Sequence, residues 1–311
     1  MVRNQIDTIE KQRSRPDGSD VMRERLLSSM PVTERRVEAA GISTAVLEGG
    51  SGPTVVLLHG PGGYAAAWMR VIPDLVRTHR VVVPDLPGHG VSVVTDGPCD
   101  ADRVLHWLGE LIAQMCDSPP TVVGQIIGGA IAARYAAAKP NGLIRLVLVD
   151  ALGLAPFHPA PQFGQALTDF IGQPNEETHD RLWEQCTSDL GALQEGMGAN
   201  WERLKSYNVD RARATELHAA QQSLMNEFGF PAIPPEQLAC ISVPTTLVWG
   251  RHDLATKLQV AEAASDRYGW PLHIIENAAA DSPLEQPEAF VKTLREVLKS
   301  TGRSEPQAIA R

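Results

Sequence analysis

Thiols, imidazoles, loop carboxylates and glycine-rich turns are the groups in this chain that could do chemistry. Cys99, Cys116, Cys186 and Cys240 are scattered without paired spacing, so neither a disulfide framework nor a zinc site is expected. Buried or idle thiols are the simple reading. The stretches "HGPGG" (59 to 63) and "GQIIGG" (124 to 129) could cradle a phosphate through backbone N–H groups, but neither carries the lysine and Ser/Thr of a phosphate loop. No nucleotide, metal or other cofactor is implied. Three aspartates follow apolar runs: Asp150 ends "LVLVD", Asp253 sits in "WGRHDLAT" and Asp281 in "ENAAADSPLEQP". Such a carboxylate either caps nearby N–H groups or acts as a base or ligand anchor.

These residues need a frame that holds them, and the apolar pattern supplies one. Short β-branched runs alternate with segments of helical period, the signature of a mostly parallel sheet with helices on both faces. The strand candidates are "TVVLLHG" (54 to 60), "RVVVPDL" (80 to 86), "TVVGQ" (121 to 125), "LIRLVLVDA" (143 to 151), "TTLVWG" (245 to 250) and "LHIIEN" (272 to 277). Ahead of them "ERRVEAA" and "STAVLEGG" read as an antiparallel pair turned at Gly41. The alternation breaks between 155 and 238, where "PFHPAP" and "FPAIPPEQL" bracket a long helical stretch. That stretch holds Phe157, Phe163, Phe170, Trp183, Trp201, Tyr207, Phe228 and Phe230. These rings either line an apolar pocket or build the stretch's own small core.

With 311 residues, 43% of them hydrophobic, the chain can bury one large core carrying an insertion. A net charge of -9 argues against a sequence-independent nucleic-acid partner, which would need a basic surface. No apolar run reaches the roughly 20 residues needed to cross a bilayer, and the start lacks the apolar core of a secretion signal. The expectation is a cytoplasmic protein with no membrane contact. Residues 1–30 read as a helical extension in which Met22, Leu26 and Met30 share a face. It is either a docked arm, a homodimer contact or a frayed end. Residues 300–311 are expected to be disordered.

Five motifs in order, "LLHGPGGYAAAW", "VVVPDLPGHGVS", "VVGQIIGGAIAARYA", "LVWGRHDLAT" and "SPLEQPEAF", give a chain that resembles the α/β-hydrolase superfamily over roughly residues 33 to 298. The resemblance implies an α/β class fold: an eight-stranded, mostly parallel sheet with helices on both faces and a helical cap after strand six. The core would be residues 31–154 and 239–299, and the cap 155–238. In that family a nucleophile occupies the centre of G-x-S-x-G on a strand-to-helix turn. Here the frame is Gly124-Gln125-Ile126-Ile127-Gly128, and Ile126 has neither a lone pair nor a dissociable proton. The family's histidine loop corresponds to "ENAAADSPLEQP", where counting back from Glu285 gives Ala280 and counting from Pro283 gives Asp281. The residue after "LLHG" that would give an oxyanion N–H is Pro61, which has none; Ile127 could still donate, and Gly62 is the substitute for Pro61 if the loop shifts.

Three losses at separated positions point to a different use rather than a single engineered change. The reading that follows is a cofactor-free, non-covalent enzyme for addition, elimination, cyclisation or isomerisation of an apolar, ring-containing small molecule, as in natural-product tailoring. Asp253 and Asp281 are its candidate catalytic groups: if Asp281 fills the histidine position it faces Asp253, and neighbouring carboxylates share a proton. Candidate substrate contacts are Gln125, Ile126, Ile127, Pro61, Gly62, Tyr64, Trp68, Phe157 and Trp183. His59 and His89 are read as holding loop geometry. Two alternatives stay open: a non-catalytic, receptor-like binder of a small apolar ligand, and a weak ester or carbon–carbon hydrolase using carboxylate-activated water.

Overall fold

A computed structural model describes residues 18–95 and 97–299. It contains β1 (Thr33–Ala39), β2 (Ile42–Gly49), β3 (Thr54–Leu58), β4 (Arg80–Pro84), β5 (Val93–Val94), β6 (Thr121–Gln125), β7 (Arg145–Val149), β8 (Thr245–Gly250) and β9 (Leu272–Ile275). The main path runs β1-β2-β4-β3-β6-β7-β8-β9, with β5 paired to β2. β1, β2 and β4 pair antiparallel and every pair from β4 onward is parallel. Eight strands were expected and all eight lie on this path; the ninth, β5, is a two-residue addition at Ile42 and Ser43 that no apolar run announces.

Alternation along the strands decides the layering. Val56, Leu58, Val82, Val122, Leu146, Leu148, Leu247 and Trp249 point to one buried cluster. Their neighbours Val55, Leu57, Val81, Val83, Val123, Val147, Val149 and Val248 point to the other. Helices Ala101–Met115, Ile127–Ala138 and Leu258–Tyr268 cover the first face. The N-terminal helix Gly18–Leu27, the 3-10 turn Ala65–Trp68 and the helix Pro287–Lys299 cover the second. The fold is an α/β-hydrolase fold, a mostly parallel central sheet flanked by helices.

Between β7 and β8 the chain leaves the sheet and forms helices Pro161–Gly172, Glu176–Cys186, Leu190–Met197, Ala199–Arg213 and Thr215–Leu224, a π turn Met225–Gly229, and the short helix Pro235–Ala239. This last helix straddles the expected boundary at 238, and its Leu238 packs into the first cluster of the sheet. The expected tail at 300–311 and residues 1–17 of the extension lie outside the described residues. Among the described residues no helix is long and apolar enough to cross a membrane.

The described part of the extension is tied down. Leu26 and Met30 are buried and Met22 packs beside them, as their helical spacing predicts. Arg23, with no apolar signal to mark it, is 4% exposed. Its guanidinium pairs with Glu34 at 2.7 Å and with the fully buried Asp85 at 2.9 Å, and it stacks over the Tyr64 ring at 5.1 Å. Asp85 in turn accepts from Ala65 N–H at 2.7 Å and Val91 N–H at 2.9 Å. Removing one member of a buried pair strands the other charge. Arg23→Met should therefore lower stability by about 3 kcal/mol in urea unfolding; a loss near zero would show that Asp85 needs no cation.

Candidate active site

β6 passes directly into the Ile127–Ala138 helix through one residue, Ile126, at φ 48° and ψ −108°. This conformation costs a β-branched residue roughly 1–3 kcal/mol, so the surroundings must impose it. They do so through the backbone: Ile126 N–H donates to Val149 O at 2.9 Å, and Leu152 N–H donates to Ile126 O at 3.0 Å. Close approach removes side chains on either side, since a Cβ on Gly124 would lie 2.5 Å from Gly128 O and one on Gly128 would lie 2.6 Å from Leu58 O. The turn is therefore the sharp mount expected from sequence, with a half-buried isoleucine on it. Its side chain packs against an apolar cluster of Phe163, Leu182, Ala255 and Ala280, which Phe157 and Phe170 also border.

The carboxylates gather at the same edge of the sheet. Asp150, buried and at φ 45°, accepts from Gly250 N–H at 2.8 Å and Ser282 Oγ at 3.3 Å. Asp253 accepts from Ala255 N–H at 2.7 Å, from Thr256 N–H at 3.0 Å and from the Thr256 hydroxyl. Asp281 accepts from Gln125 Nε2 at 2.9 Å, and the same amide donates to Ala280 O at 3.1 Å. Glu285 accepts from Ala279 N–H at 2.7 Å and from Ser188 N–H at 2.6 Å. Among the described residues none of the four makes an ion pair, and no group of three or more His, Cys, Asp or Glu is placed to hold a metal ion.

Neutral donors replace cations, and the protonation equilibria follow. Burial pushes Asp281 up to about 7, with Glu285 and Asp253 adding repulsion against the Gln125 hydrogen bond. Burial likewise raises Asp253 to about 6, opposed by its bonds to Thr256 and Ala255. Asp150 is held well above the usual carboxylate range by burial and then by Asp253. Glu285 is raised by burial against its donors. The Cys186 thiol, enclosed beside Asp281 and Asp253, is pushed up and stays protonated.

The structure brings Gln125, Ile126, Asp253 and Asp281 to one edge, together with Asp150 and Glu285. Asp253 and Asp281 interact through space, while each carboxylate is hydrogen-bonded by its own neighbours. The alternative positions Ala280 and Asp281 divide the work: Ala280 packs under Ile126 while Asp281 meets Gln125. Phe157 contacts Ile126's cluster and, at 6.2 Å, the ring of Phe230. Ile127 is fully buried in the first turn of its helix. Pro61 and Gly62 form an exposed turn, with Gly62 at φ 69°.

Three expected contacts lie elsewhere. Tyr64 and Trp68 point into the opposite sheet face, against Tyr207 at 4.2 Å and Phe290 at 6.0 Å, because the 3-10 turn after "HGPGGY" rolls them under the Gly18–Leu27 side. Trp183 stacks on His179 at 5.7 Å and meets Trp201 at 5.1 Å, in an aromatic core of the inter-strand helices. The rings thus divide between that core and the Ile126 cluster. His59 donates from Nδ1 to Gly60 O at 2.7 Å and accepts Leu86 N–H on Nε2 at 2.9 Å, so it is a neutral loop brace that burial holds down at about 3. Sequence reasoning missed Glu285 as a neighbour of Asp281; the i, i+4 spacing across a helical turn was the available signal.

The model for the alpha/beta hydrolase family matches residues 55–293, and the chain belongs to that family. Among its relatives, 2-hydroxy-6-oxo-6-(2'-aminophenyl)hexa-2,4-dienoic acid hydrolase of Metapseudomonas resinovorans is 28% identical, over 85% of this chain and 90% of the relative. An esterase of Mycobacterium tuberculosis is 30% identical, over 86% of this chain and 90% of its own. Among solved structures, 2-hydroxy-6-oxo-6-phenylhexa-2,4-dienoate hydrolase from Rhodococcus sp. strain RHA1 superposes with a TM-score of 0.74 at 24% identity, covering 86% of this chain and 99% of that one. A carboxylesterase from Bacillus subtilis gives 0.77 at 20% identity, covering 90% and 97%. These structural likenesses concern the fold.

Asp281 and Asp253 bind their protons more tightly in the folded protein than in the unfolded chain, where an aspartate titrates near about 4. Their contribution to stability is therefore fully present below about pH 4 and is lost as pH rises toward 7. Asp281→Asn keeps an acceptor for Gln125 and carries no charge. Its stability relative to wild type should improve by about 2 kcal/mol between pH 4 and 8 in urea unfolding, and a pH-independent difference would refute the assignment.

Proposed function

We propose that this protein is a cofactor-free enzyme that transfers protons on an apolar, ring-containing small molecule without forming a covalent intermediate. The observation that carries the reading is Asp281, a carboxyl with a proton affinity near neutrality, joined through Gln125 to the turn at Ile126. A carboxyl whose proton affinity is raised toward neutrality can both take and return a proton at working pH, which is where general acid–base catalysis is most effective. Ile126 offers no atom for an acyl-enzyme or alkyl-enzyme. The rings of Phe157, Phe163 and Phe170 in the same apolar cluster suit an apolar substrate, and one relative is a hydrolase of an aminophenyl-bearing hexadienoic acid.

In this reading the Asp281 carboxylate removes a proton from an acidic C–H or O–H of the bound molecule and returns it at another position, giving isomerisation or cyclisation, or delivers it to a leaving group as the carbon–leaving-group bond breaks, giving elimination. Asp253 biases Asp281 through charge, and Gln125 fixes the acceptor oxygen. Positioning in an apolar site can lower a barrier by up to roughly 7–11 kcal/mol, so a reactive substrate needs little further help. Loss of a triad serine or histidine costs on the order of a million-fold, which disfavours ordinary serine-hydrolase turnover.

A second reading is supported by the relatives, which are hydrolases and esterases: water activated by Asp253 or Asp281 could attack an ester or an activated carbonyl, with poor turnover for want of the Pro61 donor.

Deuterium exchange into benzoylacetone in D2O, followed by NMR, tests the first reading. Wild type should accelerate exchange, and Asp281→Asn should lose about 100-fold or more of it. The protein should resist a fluorophosphonate probe. Labelling of any serine bordering Ile126 would overturn the non-covalent mechanism, and aryl-ester turnover abolished by Asp253→Ala would replace it with the second reading. A ligand that raises Tm yet returns unchanged would point to a binding protein instead.

A further inference from the structure

We infer that the end of helix Glu176–Cys186 is fastened to the loop after β9 by a latch that holds while Asp281 is protonated and loosens when Asp281 ionises. The fastening is specific. Ala280 N–H donates to Cys186 O at 3.1 Å, Ser188 N–H donates to Glu285 Oε2 at 2.6 Å, and the Ser188 hydroxyl lies 2.5 Å from Asn277 O and 3.0 Å from Glu285 Oε2. The other Glu285 oxygen accepts from Ala279 N–H at 2.7 Å. One carboxyl group thus spans, through both of its oxygens, from the inter-strand helices to the loop after β9.

The surroundings of Asp281 make this contact sensitive to protons. From the end of β7 it is faced by Asp150, from the loop after β8 by Asp253, from its own helical turn by Glu285, and from helix Glu176–Cys186 by the Cys186 thiol. The β6 end contributes the neutral amide of Gln125. Arg70 reaches this turn but donates to Leu284 O rather than to a carboxylate. A charge appearing on Asp281 therefore meets only like charges, and Glu285 is among them. Asp281 keeps part of its surface in water, and moving the 186–188 strap away admits more, which screens the repulsion from Glu285, Asp253 and Asp150.

The sign follows from linkage. Enclosure raises the proton affinity of Asp281, so the closed strap is favoured at acid pH and is weakened as pH rises toward and past 7. Control of access to the Ile126 cluster is the consequence, because Leu182 and Cys186 on this helix pack on it. The inference stands on the same carboxyl as the proposed reaction but does not require that reaction to occur.

Hydrogen exchange read by mass spectrometry on the full chain tests it, using peptides spanning residues 184–192 and 277–286 near pH 5.5 and near pH 7.5, corrected for intrinsic exchange. Wild type should lose about tenfold protection in both peptides on going to the higher pH, while peptides from β3 and β6 stay unchanged. Asp281→Asn should remain protected at both. Should that variant fail to fold, Asp253→Asn, which removes an opposing charge and leaves the Glu285 fastening intact, should also diminish the dependence. Equal protection of wild type at the two pH values overturns the latch, as does an undiminished loss in either variant. Exchange protection that behaves as expected with no benzoylacetone turnover would sink the reaction and keep the latch, and the reverse pattern would do the opposite.

Discussion

Carboxylates withdrawn from water, fully at Asp150 and Asp253 and in part at Asp281 and Glu285, with neutral donors in place of cations, are the constraint on which the carboxyl edge of this sheet depends. A lone carboxylate in low dielectric either finds a counter-charge or keeps its proton. Asp150, Asp253, Asp281 and Glu285 take the second course to different degrees, because their partners are amides and hydroxyls: Gly250, Thr256, Gln125 and Ser188. The loops after β7, β8 and β9 and the end of helix Glu176–Cys186 are all held by these bonds. Their geometry and their protonation are one problem.

The opposite sheet face handles charge in the other way. There Asp85 is fully buried with Arg23 beside it, and the pair is completed by Glu34 and by the Ala65 and Val91 N–H groups. A full guanidinium supplies the counter-charge there. It also joins the Gly18–Leu27 helix to the loop that follows "HGPGG", so the N-terminal segment is part of the scaffold rather than an appendage. The contrast is one of partners: Asp85 has a guanidinium beside it, whereas Asp281 has an amide and holds its proton more tightly than a free aspartate.

Between these two sites lies the turn at Ile126. Gly124 and Gly128 let β6 and its helix approach so closely that the residue between them is forced to positive φ, whatever its side chain. A serine there would project toward solvent and substrate; an isoleucine extends the apolar wall formed by Phe157, Phe163 and Ala280. The strain belongs to the turn rather than to its side chain, since the sheet and helix impose it.

How much was legible in the letters can be traced residue by residue. The eight main strands, their layering and the sharp turn at 124–128 follow from local apolar period and glycine spacing, which act within a few residues of chain. β5 did not, because two residues carry no period. The identity of Ile126 and the nearness of Asp253 to Asp281 could be read through family-like motifs. Glu285, Asp150 and Ser188 joining that group could not, nor could Tyr64 and Trp68 turning to the opposite face. Sequence determined which elements form and which atoms are available, since those depend on neighbours along the chain. Only the tertiary structure decided which carboxylates share one enclosure and which receive a cation, since burial and charge proximity are properties of segments more than a hundred residues apart.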